Sequence, residues 1–247
     1  MSSKLFSEEI RSYVYAIYGM VRIADEIVDT FEAAHRMNRL KEFREQVYHA
    51  IDTQYSSNPI LHAFAHTASK FHIGQELIDP FFDSMLVDVD KKHFDQTEYE
   101  TYIHGSAEVI GLMCLKVFVD HESIYAHLEH GARKLGSAYQ KINFLRDFSA
   151  DYNELGRIYF PNMTYDTFDN TAKDIIVDDI KNELRVASDA IAELPRSSRM
   201  AVRTSYVYYE ELLNKLEDSS VDIIKQQRIR VSTIRKIYLL IMSVVVR

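Results

Sequence analysis

Two pairs of aspartates, each spaced four residues apart within an apolar stretch, are the residues of this chain best suited to chemistry. Asp25 and Asp29 form one pair, and Asp147 and Asp151 form the other. Residues four apart share one face of an α-helix, where two like charges repel each other, so we expect a cation beside each pair. Mg²⁺ is usually held by one or two carboxylates together with phosphate and water oxygens. Two such pairs facing each other across a helical bundle predict a Mg²⁺-dependent diphosphate site, with Mn²⁺ as a substitute metal.

Two amides strengthen this prediction, because Gln140 and Asn143 fall on the same helix face as the second aspartate pair. A single Asp-x-x-x-Asp pattern is more often a solvated helix surface than a site. His62 and His66 also stand four apart, but they have no third ligand nearby and apolar neighbours, which favours packing over metal binding.

The elements that position these residues are predicted to be helices. The 247 residues include only 7 Gly and 4 Pro, which is little turn chemistry for a sheet protein. No linker composition interrupts the chain, so we expect one all-α domain over residues 1–247. A helix capped by Thr97 should run to Val119 and contains Gly105, Ser106 and Gly111. These small residues indicate either close helix packing or space for a long apolar ligand, and composition favours neither alternative.

Charge and cysteine content narrow the class of protein. A net charge of −8 disfavours nucleic acid as a partner. The single cysteine, Cys114, excludes an intramolecular disulfide framework and fits a reducing compartment. The N-terminus lacks a signal-peptide core, and the apolar run from Ile237 to Val246 is too short to span a bilayer. We expect a cytoplasmic protein without a transmembrane segment, whose last helix begins near Asp222 and presents either a solvated or an anion-binding basic face.

Five segments carry a resemblance to a known family. They are YAIYGMVRIADEIVD (15–29), YIHGSAEVIGLM (102–113), QKINFLRDFSADYNELGRIYFP (140–161) and, more weakly, YYEELL (208–213) and RIRVSTIRK (228–236). In these segments the chain resembles the squalene/phytoene synthases, with its closest likeness to the bacterial phytoene synthases. The resemblance implies the isoprenoid synthase fold, in which a single helical domain surrounds a central cavity.

The resemblance also implies roles for individual residues. Asp25, Asp29, Asp147 and Asp151 are similar to the family's Mg²⁺–diphosphate ligands, with Arg22, Gln140 and Asn143 as their partners. The remaining implied substrate-contacting residues are Tyr18, Tyr102, Ser106, Ile110, Tyr209 and Arg228, of which Tyr102 counts with the aspartates as catalytic and Arg228 as diphosphate-binding.

The activity implied is head-to-head condensation of two prenyl diphosphates, with geranylgeranyl diphosphate giving phytoene in carotenoid biosynthesis. Because such a product is apolar, its release implies that the protein associates peripherally with a membrane. Two alternatives stay open: a terpene cyclase that takes one prenyl diphosphate, and a non-catalytic family member. Family members usually carry a Ser-x-Ser-Phe-like segment ahead of the position matching Leu5. The resemblance implies that this segment, which helps cover the active site, is missing from the sequence given. We therefore expect an open mouth beside Tyr18 and Asp25, low coupling activity and prenyl alcohols as by-products.

Overall fold

Helices make up most of the chain in the computed structural model, which describes residues 2–31, 33–91 and 93–245. Those ranges contain no β-strand, only an isolated parallel bridge between His93 and Ile158, so the all-α prediction is confirmed. The helices are α1 (Glu8–Thr30), α2 (Ala33–Thr53), α3 (Pro59–Phe71), α4 (Gln75–Asp90), α5 (Gln96–Ile103), α6 (Val109–Phe118), α7 (Glu122–Leu155), α8 (Asn170–Glu193), α9 (Arg196–Asp218), α10 (Val221–Gln226) and α11 (Thr233–Val245).

Local sequence explains where several of these helices begin and end. The Asn58 side chain accepts a hydrogen bond from the Ile60 amide at the start of α3. Asp95 and Glu98 form a reciprocal capping box at the start of α5, with both hydrogen bonds 2.9 Å long. The predicted cap at Thr97 was therefore wrong, because the Asp95 carboxylate, two residues earlier, accepts the hydrogen bond from the Glu98 amide. Gly156 ends α7 in the left-handed conformation (φ 63°).

The basic C-terminal stretch is two helices rather than the single helix predicted from Asp222. Between α10 and α11, Ile229 and Val231 are buried while Arg228 and Arg230 are exposed. This alternation has a period of two, which suits an extended segment and cannot be accommodated on one helix face. Arg228 therefore lies on an extended connection.

Two apolar clusters form the interior. The first joins α1, α2, α3, α4 and α6 around Met20, Phe64 and Phe81. The second joins α5, the C-terminal half of α7, α8, α9 and α10 around Phe144 and Phe168. Helix α6 packs against both α1 and α7, so it links the two helices that carry the aspartate pairs.

A π-helical turn (His104–Glu108) divides the predicted 97–119 helix into α5 and α6. At Gly105, an added Cβ would lie 2.2 Å from the Pro80 carbonyl oxygen of α4. At Gly136 of α7, it would lie 2.7 Å from the Ala107 carbonyl oxygen. These glycines allow backbones to approach closely, so the packing explanation of the small residues holds there. Across the described ranges, no helix is long and apolar enough to cross a membrane.

Candidate active site

Asp147, on the C-terminal half of α7, is contacted by two arginines. Arg146 donates to both carboxylate oxygens, at 2.9 Å from Nε and 2.6 Å from Nη2. Arg228 approaches the same two oxygens, at 2.6 Å from Nε and 3.2 Å from Nη2. Burial alone would lower the pKa of Arg146, but the hydrogen bonds and negative charge of Asp147 raise it above its ordinary value. The cation expected beside this aspartate is thus a guanidinium group in the present structure, and the site attracts positive charge.

Asn143 lies one turn before Asp147 and accepts a hydrogen bond of 3.4 Å from the Tyr209 hydroxyl. The Tyr209 ring stacks on Tyr139, with centroids 3.8 Å apart and planes 13° from parallel. Burial raises the pKa of both phenols, so both stay protonated at neutral pH. The structure therefore brings the predicted Asn143 and Tyr209 together. Sequence reasoning missed Tyr139 and Arg146, although Tyr139 stands four residues before Asn143 on the amide face.

A cavity of about 380 Å³ lies between α6, α7, α8 and α9. Three predicted substrate-contacting residues, Ser106, Ile110 and Gln140, line it. Its further walls include Phe6, Ala107, Gly111, Cys114, Leu128, Ala132, Tyr139, Ala190, Val202 and Ser205. Along α7 the lining extends from Leu128 to Gln140, a rise of about 18 Å for a straight helix. Ser106 of the π-helical turn and Gly111 of α6 border this cavity, so both explanations of the small residues hold, at different positions.

The cavity is an apolar chamber next to the polar site. Burial raises the pKa of the Cys114 thiol to about 12, so it is a neutral wall residue. Ser106 Oγ is buried without a hydrogen-bond partner among the residues described. The cavity follows α7 away from Asp147 toward the N-terminus of that helix. Helix α7 thus carries the charged Asp147 and, nearer its N-terminus, one wall of the apolar cavity.

The aspartate pair of α1 is more open to water. Asp25 is half-buried and Asp29 is exposed. Tyr18 is 64% exposed, and Arg22 forms an exposed ion pair with Glu26 of the next turn.

The carboxylates fit a metal only together with a ligand. Within the described ranges, no three His, Cys, Asp or Glu side chains converge as a metal site. Asp151 is half-buried on α7, one turn after Asp147. Pairs of oxygen donors suit Mg²⁺ whose other positions are filled by phosphate and water oxygens. The donor set therefore suits Mg²⁺ held between carboxylates and a bound diphosphate.

Tyr102 lies in the aromatic core and is 4% exposed. Its ring is 5.3 Å from those of Phe94 and Tyr159 and 6.0 Å from that of Phe144. It is absent from the cavity lining described above. The structure thus packs Tyr102 in the aromatic core against Phe144 of α7, and not on the wall of this cavity.

The π-helical turn is tied to α7 by a small ionic network. Glu108 Oε2 lies 2.9 Å from His104 Nδ1 and accepts a hydrogen bond of 2.8 Å from Arg133 Nε. Burial would raise the pKa of Glu108, but these two partners hold it below its ordinary value. The network holds the π-helical turn against α7, and Ser106 and Ala107 of this turn line the cavity.

The chain is similar in sequence to a known protein family and to several of its members. The family model for squalene/phytoene synthase matches residues 1–235. A 4,4'-diapophytoene synthase of Staphylococcus haemolyticus is 28% identical over 177 residues, covering 70% of this chain and 60% of that enzyme. A phytoene synthase of Arthrospira platensis is 28% identical over 247 residues, covering 88% of this chain and 78% of that enzyme. The chain spans 60% of the staphylococcal relative and 56% of phytoene synthase 3 of Zea mays.

Solved structures share the same helical architecture. A dehydrosqualene synthase in complex with ligand superposes with a TM-score of 0.81 at 21% identity, covering 98% of this chain and 88% of that one. The squalene synthase of Alicyclobacillus acidocaldarius superposes with a TM-score of 0.77 at 18% identity, covering 88% and 86%. These likenesses confirm the predicted isoprenoid synthase fold. With the family model matched from residue 1 to residue 235, the chain belongs to the squalene/phytoene synthase family.

Proposed function

We propose that this protein condenses two prenyl diphosphates head-to-head, with geranylgeranyl diphosphate as the substrate and phytoene as the product, a step of carotenoid biosynthesis. The observation that carries the proposal is the order of features along α7, where the arginine-bound Asp147 follows an apolar cavity. A prenyl diphosphate likewise joins a charged diphosphate group to a long apolar chain. A phytoene synthase and a diapophytoene synthase are equally identical to this chain, at 28%, so the test compares the C20 with the C15 substrate.

The diphosphate would lie at the aspartates. Asp25, Asp29, Asp147 and Asp151 would hold Mg²⁺, which when bound neutralises charge on the leaving diphosphate. The Arg228 side chain is 45% exposed and comes from an extended segment, so it can turn from the carboxylate to phosphate oxygens. Guanidinium groups bind phosphate through paired charge-assisted hydrogen bonds. Loss of Arg228 should therefore weaken diphosphate binding directly.

The prenyl chain would lie in the cavity. Departure of the first diphosphate breaks its C1–O bond and leaves an allylic cation, which water would quench. The apolar walls offer water few hydrogen-bonding partners, and aromatic faces such as Tyr139 stabilise a nearby cation by about 0.5–2 kcal/mol each. Attack by the C2–C3 double bond of the second substrate, with loss of a proton, gives a cyclopropyl diphosphate. Departure of the second diphosphate, ring opening and a second proton loss give phytoene without a reductant.

The test is product identification by mass spectrometry after incubation with Mg²⁺ and either farnesyl or geranylgeranyl diphosphate. We expect a C40 hydrocarbon from the C20 substrate, and EDTA should abolish its formation. Asp147→Asn should lower turnover by about two to three orders of magnitude, because it removes a charge from the reacting end. Asp174→Asn, at a carboxylate 64% exposed on α8, is the matched control and should leave turnover unchanged.

Each other product pattern overturns part of the proposal. Cyclised hydrocarbon from a single diphosphate would identify a terpene cyclase. Complete recovery of both substrates would identify a non-catalytic family member. Undiminished product from Asp147→Asn would leave the condensation standing and remove the site assigned to it.

A further inference from the structure

Two guanidinium groups surround the carboxylate of Asp147. Arg146 donates through Nε to Oδ1 at 2.9 Å and through Nη2 to Oδ2 at 2.6 Å. Arg228 reaches the same two oxygens, with Nε 2.6 Å from Oδ1 and Nη2 3.2 Å from Oδ2. An ionised carboxylate has about four lone-pair sites on its two oxygens. The four nitrogens therefore take up the positions through which Asp147 would bind a metal ion.

The same contacts compensate the charge of Asp147. Two guanidinium charges more than neutralise one carboxylate, so Asp147 exerts little further attraction on another cation. Crowding and charge thus act in the same direction. One of the two arginines has to leave before this carboxylate can bind a metal ion.

Arg228 is the partner that can leave. Its side chain is 45% exposed, whereas that of Arg146 is 19% exposed. The neighbouring Ile229 and Val231 are buried and anchor the extended connection, so rotation of the Arg228 side chain is enough to remove its guanidinium. Arg146 precedes Asp147 on the same helix, and it keeps the carboxylate oriented through its own two hydrogen bonds.

We propose that Arg228 excludes metal ions from Asp147 until a diphosphate draws it away, so that the anion binds before the metal ion. A guanidinium fork matches phosphate oxygens as well as it matches a carboxylate. Its transfer would uncover two oxygen positions of Asp147 just when the diphosphate brings the further oxygen ligands that Mg²⁺ requires. The inference rests on the proposed function in one respect, namely that the anion is a prenyl diphosphate.

Such an exchange couples the two binding events. The factor by which diphosphate tightens metal binding equals the factor by which metal tightens diphosphate binding, and couplings of this kind typically reach about 5- to 150-fold. Direct contacts between a metal ion and phosphate oxygens would also couple them, even without Arg228. The property that distinguishes the exchange is therefore the affinity for the metal ion alone, which Arg228 should lower.

The test is titration of the full chain with Mn²⁺ in phosphate-free buffer, with unbound Mn²⁺ measured by electron paramagnetic resonance. Arg228→Gln should bind Mn²⁺ at least about fivefold more tightly than the wild type, as the lower end of such couplings predicts. Arg235→Gln is the matched control, because it breaks an equally exposed ion pair with Glu211, and it should bind like the wild type. In Arg228→Gln/Asp147→Asn the gain should disappear, which assigns it to Asp147.

Inorganic pyrophosphate tests the other half of the exchange. Calorimetry in metal-free buffer should show that Arg228→Gln binds pyrophosphate about tenfold more weakly than the wild type, as expected for the loss of one charge-assisted hydrogen bond. Removal of one arginine thus changes the two affinities in opposite directions. A purely structural contact would lower the melting temperature and would not raise the affinity for Mn²⁺.

The inference fails if Arg228→Gln binds Mn²⁺ no more tightly than the wild type. It also fails if the gain persists in the Asp147→Asn background, or if pyrophosphate binding is unchanged. Hydrocarbon formation by the wild type reports on the proposed function alone. Tighter Mn²⁺ binding by the variant without hydrocarbon from the wild type would refute the enzyme, and hydrocarbon with unchanged Mn²⁺ affinity would refute the exchange.

Discussion

Substitution of Arg228 by glutamine separates catalysis from stability at the candidate site. Arg228 and Arg146 both bind Asp147, so the carboxylate keeps one guanidinium partner when Arg228 is removed. The Arg228 side chain is 45% exposed, and solvent-exposed ion pairs contribute only about 0.2–1 kcal/mol to stability. For a chain of this size, 1 kcal/mol lowers the melting temperature by about 2–4 °C. We therefore expect Arg228→Gln to unfold within about 4 °C of the wild type.

Its effect on activity should be much larger. If Arg228 transfers from Asp147 to the diphosphate, its loss removes one positively charged donor from the leaving group. Loss of one such preorganised donor typically costs about two to three orders of magnitude in rate. We expect kcat/KM for geranylgeranyl diphosphate to fall by that factor, measured as released pyrophosphate. Affinity for inorganic pyrophosphate with Mg²⁺, measured by calorimetry, should fall as well.

Arg235 supplies a matched control for this variant. Its side chain is also 45% exposed and binds both oxygens of Glu211, at 3.0 and 2.8 Å. Arg235→Gln should therefore lower the melting temperature as little as Arg228→Gln and leave turnover intact. Equal activity in the two variants would refute the role assigned to Arg228. A drop in melting temperature well beyond 4 °C for Arg228→Gln alone would show that the contact is structural.

Three further substitutions test the cavity, the π-helical turn and the ionic network. Ala132→Leu narrows the cavity wall, so kcat/KM should fall about tenfold more for the C20 than for the C15 substrate. Gly105→Ala would place a Cβ 2.2 Å from a backbone carbonyl oxygen, so urea denaturation should show a loss of about 1–3 kcal/mol. Glu108→Gln should destabilise the protein by about 1–3 kcal/mol at neutral pH. The pKa of Glu108 is held below its ordinary value of 4.5, so its stabilisation is complete above that pH and lost as the pH falls further.

The outcomes that contradict these three predictions are distinct. An unchanged ratio of kcat/KM for the two substrates in Ala132→Leu would place the prenyl chain elsewhere. Gly19→Ala is the control for the turn, because its added Cβ meets only an isoleucine side chain. An equal loss of stability in both glycine variants would contradict the close-approach argument. For Glu108→Gln, a difference from wild type that stays constant below pH 4.5 would contradict the network.

Much of the fold could be predicted from the sequence, because it depends on local properties. Scarcity of glycine and proline predicted the helices that the described residues form. The connection containing Arg228 was missed because tertiary burial of Ile229 and Val231 overrides the helical pattern there. The cap at Asp95 was missed because Asp95 and Thr97, two residues apart, are both residue types that cap helices.

At the candidate site, the sequence by itself predicted the aspartate pairs and the amides in register with Asp147, since charge and helical spacing depend only on residue type and order. Only the tertiary structure decided which groups meet these residues. It brought Arg228 to Asp147 across 81 positions and stacked Tyr209 on Tyr139. It also assigned Gly105 to close packing. Contacts of this kind depend on how distant helices cross, and no periodicity within one helix determines that crossing.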